Sequence, residues 1–65
     1  MNTLTQTRDM LAAYLQRSPH LKAHGSKIMK NLSILASDAD DETKAAVLRV
    51  MPANVERFRK ARAAQ

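Results

Sequence analysis

One glycine and two prolines are all that punctuate this chain of 65 residues. Between them alanine and leucine are the commonest residues, and β-branched and aromatic side chains are sparse. Alanine and leucine favour helix, and the usual turn-forming residues are nearly missing. The chain is therefore expected to be all-α, a small three- to four-helix bundle in one domain over 1–65. The expected helices run over about 4–17, 19–36, 41–51 and 52–63. The core is thin. Setting Met1 aside, seventeen apolar side chains are larger than alanine. A chain this short buries only about 60% of the surface its unfolded form exposes. With no cysteine to add a disulfide or a thiolate-bound zinc, the missing burial is expected to come from homodimerisation.

Local signals set the helix boundaries. Thr3 followed by Gln6 fits a capping box, with Thr3 as the cap of the first helix. Leu4, Leu11, Tyr14 and Leu15 then share a face, flanked by Met10. At Ser18-Pro19 the proline disfavours helix at the residue before it and suits the first position of the next helix, so Ser18 is expected to cap a second helix. There Leu21, Gly25, Ile28, Leu32 and Leu35 stack on one arc, with Met29 and Ala36 at its edge. Gly25 lies on that arc, so the helix is expected to continue through it and another backbone to approach closely. Ser37 or Asp40 and Asp41 are candidate caps for a third helix, and the acids Asp38, Asp40, Asp41 and Glu42 suit its positive end. Pro52 removes the amide that would bond to Leu48, so a sharp kink or a break is expected near Met51. The apolar phase resumes through Val55, Phe58 and Ala61.

Charge narrows the function classes. Eleven lysines and arginines against six acids give a formal charge of +5, which favours polyanionic partners. The polar side of the second helix carries Lys22, Lys27 and Lys30 with no acid from Pro19 to Ala36. Small hydrogen-bonding side chains interleave the lysines, and nothing there repels phosphate. Asn31 is placed beside them as a candidate reader of adenine edges. A second cluster, Arg57, Arg59, Lys60 and Arg62, exceeds what opposing the helix dipole requires, and arginine suits bidentate phosphate contacts.

Other chemistries fare worse. His20 and His24 are spaced for one metal but lack a third ligand nearby, so no metal site is expected. The acidic run has neither the glycine nor the distal glutamate of an EF-hand loop. No nucleophile elbow or phosphate-binding glycine loop is present, so no enzyme activity and no cofactor are expected. The longest apolar runs fall far short of the roughly 20 residues of a membrane span, and no secretory leader is legible. A cytoplasmic location and no membrane partner are expected. Ile34 projects away from the leucine arc, and Val47, Leu48, Val50 and Met51 are apolar on more than one face. Together with Phe58, the residues Ile34, Val47, Val50 and Met51 are the candidate protein interface. The leading expectation is a small basic regulatory or accessory protein, homodimeric, gripping DNA or RNA mainly by its phosphates. The alternative is a protein-binding adaptor or inhibitor, of the kind phages and plasmids use against a host factor, acting through the apolar residues.

Overall fold

The computed structural model describes residues 3–64. Three α-helices follow in order: α1 (Thr3–Arg17), α2 (Lys22–Leu35) and α3 (Asp41–Ala63), with a single 3₁₀ turn, Pro19–Leu21, joining the first two. The described residues hold no strand, so the fold is all-α.

Thr3 is the first residue of α1 rather than its cap, and the position before it lies outside the described residues. Leu4, Leu11, Ala12 and Tyr14 are half-buried and Leu15 is buried, whereas Met10 is 68% exposed. The helix stops where expected. The Ser18 amide still donates to the Leu15 carbonyl at 3.1 Å, but Pro19 keeps Ser18 out of helical geometry (φ −135°, ψ 67°). The Ser18 side chain makes no capping bond. Its carbonyl instead accepts from the Leu21 amide at 3.0 Å and closes the 3₁₀ turn. The cap of α2 is thus Leu21, not Ser18, and the expected helix over 19–36 opens as a tighter turn.

Along α2 the apolar arc turns inward. Gly25, Ile28 and Leu32 are buried, and Leu21 is the least exposed side chain at 1%. Gly25 is helical with negative φ. What approaches it is a side chain rather than a backbone: a Cβ built there would lie 2.5 Å from both Leu15 methyl carbons. The missing side chain lets α1 and α2 pack together.

After α2 the Ser37 hydroxyl donates to the Ile34 carbonyl at 2.6 Å and accepts from the Ala39 amide at 3.2 Å. Ser37 thus closes α2, and Asp40 opens α3. The Asp40 carboxylate accepts the Thr43 amide at 2.8 Å, which satisfies one of the free donors at a helix start. Bonds from the Thr43 side chain and then from its amide hold the Asp40 carboxyl below the usual carboxylate range. A lowered folded-state pKa means this cap stabilises above the unfolded value of about 3.9 and is lost as pH falls through the folded value. Asp40→Ala is therefore expected to lower the melting temperature at neutral pH. The gap from wild type should close as the solution is acidified below that range. A gap that stays constant down to acid pH would remove the charged cap from the account.

Of the sharp kink or break expected near Met51, the break does not occur: α3 is one helix of 23 residues with Pro52 inside it. A proline in a helix interior costs about 3 kcal/mol. The offset comes from both sides of it. Val47 is buried, Met51, Asn54 and Phe58 are half-buried, and the Pro52 ring itself faces solvent. Phe58 meets Tyr14 of α1 edge-on, with ring centroids 6.3 Å apart. At about 1.5 Å per residue α3 is roughly 34 Å long, and it accounts for most of the 37 Å long dimension. Helix α2 packs against both α1 and α3. Among the described residues the buried apolar side chains are Leu15, Leu21, Ile28, Leu32 and Val47.

Candidate nucleic-acid interface

The lysines of α2 stand on the side turned away from its core arc. Lys22, Lys27 and Lys30 are exposed, and at about 100° per residue they span an arc of about 140°. Ser26 lies between them and is also exposed. Among the described residues the ion pairs are Arg8–Asp9 at 3.3 Å and Arg59–Glu56 at 3.4 Å. The three lysines are therefore not neutralised by the chain's own carboxylates.

The second basic cluster occupies the last turns of α3. Arg57 and Lys60 are exposed and outside both ion pairs. Arg59 shares its charge with Glu56, but both side chains are more than half exposed, where a pair of this kind contributes little. The Arg62 guanidinium lies 5.7 Å from the centre of the Tyr14 ring, within cation–π range. That contact places its guanidinium over a side chain of α1. The four cations point to different sides of one helix, so they form a basic end rather than a single face. The acids Asp38, Asp40, Asp41 and Glu42 gather at the opposite end of α3.

Asn31 departs from its expected role. It is buried at 8% exposure, and its Oδ1 accepts from Asn54 Nδ2 at 2.9 Å. With its Oδ1 engaged inside the protein, it does not offer the paired acceptor and donor that an adenine edge requires. On the helical wheel Asn31 borders the apolar arc. The packing of α3 widens the buried face to include it, and Asn54, 23 residues on, supplies the partner. Nothing local to α2 signals that bond.

The candidate protein interface is rearranged as well. Val47 belongs to the chain's own core, and Ile34, Met51 and Phe58 are half-buried. Val50 is 52% exposed. Its neighbour Leu48, at 58%, is the more exposed apolar side chain. With Met51, Pro52, Val55, Glu56 and Arg59 it lines an open groove of about 420 Å³ along α3. A second open groove of similar size runs between α1 and α2, past Leu15, Pro19, Met29 and Lys22. Among the described residues no three His, Asp or Glu side chains are grouped to hold a metal ion. Nor is any helix there long and apolar enough to cross a membrane.

The chain is, in class, a small three-helix all-α protein with a basic helix face. No protein family, curated protein or solved structure matches it.

Proposed function

We propose that this chain is a small, non-enzymatic, cytoplasmic regulatory or accessory protein that binds nucleic acid through backbone phosphates and works as a homodimer. The observation that carries the reading is the unneutralised lysine face of α2: Lys22, Lys27 and Lys30 are exposed and outside every ion pair among the described residues. Arg57 and Lys60 extend the cationic surface. Binding of this type is electrostatic and releases counterions, so affinity falls steeply with salt. The burial of Asn31 removes the one candidate base reader, which favours recognition of the backbone over sequence.

The test is a mobility-shift or anisotropy titration with an arbitrary duplex at low and moderate salt. Lys27→Glu combined with Lys30→Glu is expected to weaken binding at least about tenfold at low salt. The slope of log affinity against log salt should fall by about 2. A wild-type chain that fails to retard the duplex at low salt would end this reading.

The exposed Leu48 and Val50 support the second reading, an adaptor or inhibitor seated on another protein through apolar side chains. In that case Val50→Asp abolishes partner binding and the lysine changes leave it nearly intact.

A further inference from the structure

The outer side of α3 gives the proposed homodimer a geometry, and the inference rests on that reading. Residues Asp41, Ala45, Leu48, Pro52, Val55 and Arg59 fall within about 80° of arc on this helix. That stripe is turned roughly 120° from the buried side of Val47, Asn54 and Phe58. Leu48 is 58% exposed and the Arg59 side chain 74%. Asp41, Ala45 and Pro52 are exposed too, and Val55 is half-buried. The alternating steps of four and three residues are those of a helix seam that packs on another helix. Their spacing reads the same in both directions along the chain, centred on position 50.

We infer that α3 pairs with α3 of a second copy, antiparallel, about a two-fold axis near position 50. This arrangement sets Asp41 against the partner's Arg59, Ala45 against the partner's Val55, and Leu48 against the partner's Pro52. Acid meets base at both ends and apolar side chains fill the middle. A parallel pair would instead set Asp41 beside the partner's Asp41 and Arg59 beside the partner's Arg59, and like charges oppose that register. The isologous pairing meets the closure rule of a two-fold dimer. It also covers the exposed Leu48. Two features limit its strength. Arg49 borders the seam beside the axis in both copies, so like charges approach there. The seam from 41 to 59 is also only about 27 Å long, which places the contact among the smaller, reversible interfaces. Lys22, Lys27 and Lys30 lie on α2, outside this seam, and remain open to phosphate.

The experiment is sedimentation equilibrium on the full chain from about 5 to about 500 μM, a range suited to a small interface. The average mass should rise with concentration from 7.3 kDa toward twice that value. Leu48→Asp should remain monomeric throughout with an unchanged helical circular-dichroism spectrum, because Leu48 is exposed in the monomer. Asp41→Arg alone and Arg59→Asp alone should each weaken association about tenfold. The two changes combined should restore it to within about threefold of wild type, since the end pairs re-form with their signs exchanged. A wild-type chain that stays at monomer mass overturns the inference. So does a Leu48→Asp chain that still dimerises, or a combined variant no better than the single ones. Failure of the phosphate reading looks different: the chain dimerises but does not retard the duplex.

Discussion

Leu21→Ala should remove a large share of the chain's folding stability. Leu21 is the most completely buried side chain, at 1% exposure. It closes the 3₁₀ turn and caps α2, and that turn also packs against α1 and α3. Truncating a buried leucine to alanine costs about 2–5 kcal/mol, the upper values where the surroundings cannot collapse into the space. A chain of this length has a total stability of only about 3–10 kcal/mol. With Leu15, Ile28, Leu32 and Val47 as the other buried apolar side chains, little is left to absorb the loss. Urea unfolding followed by circular dichroism measures it, and the melting temperature should fall by about 15 °C or more. A fall of only a few degrees would place the stabilising core somewhere other than this turn.

The second large effect is expected at Gly25, where helix propensity and packing pull in opposite directions. By propensity alone, replacing a mid-helix glycine stabilises by up to about 1 kcal/mol. Here a Cβ would stand 2.5 Å from both Leu15 methyl carbons and 3.0 Å from its Cγ, and Leu15 is itself buried at 6% exposure. Overpacking of this kind costs about 1–3 kcal/mol. Gly25→Ala should therefore come out near neutral, because its two terms are of similar size. Gly25→Val adds two more carbons and keeps less of the propensity gain, so packing wins and a net loss of about 2–4 kcal/mol follows. The loss should be relieved by shortening its neighbour: Leu15→Ala combined with Gly25→Val should cost at least about 1 kcal/mol less than the two changes summed. Urea titrations of the four chains give that number. Strict additivity would show that Gly25 is not where α1 closes on α2.

Much of the fold was legible because local chemistry acts over a few residues. Ser18-Pro19 ends α1 by the steric effect of the proline ring on the residue before it. Asp40 starts α3 with its own side chain, which reaches the Thr43 amide at 2.8 Å. The inward arc of Leu21, Gly25, Ile28 and Leu32 follows from the helix repeat alone, as does the outward position of Lys22, Lys27 and Lys30. The same rules misplace residues near a helix–helix boundary. Asn31 borders the arc, and its polarity suggests an outward position until Asn54 supplies an inward hydrogen bond. Val47 and Leu48 are adjacent and similar in hydrophobicity, and one is buried while the other is 58% exposed. Pro52 predicts a kink or a break because its cost is local. The packing that offsets it comes from Val47, Met51, Asn54 and Phe58, spread over three turns of helix.

The order of residues was enough to determine a helical chain, a corner at Ser18-Pro19 and another within Ser37–Asp41, and a lysine face on α2 with no acid within it. These depend on backbone sterics, side-chain capping and a fixed rotation per residue, all of which act between near neighbours. Tertiary structure alone decided that α3 runs unbroken through Pro52, that Val47 turns inward and Leu48 outward, and that Asn31 is spent on Asn54. Those outcomes depend on which side of each helix another helix covers, and that is set by contacts between segments far apart in the chain.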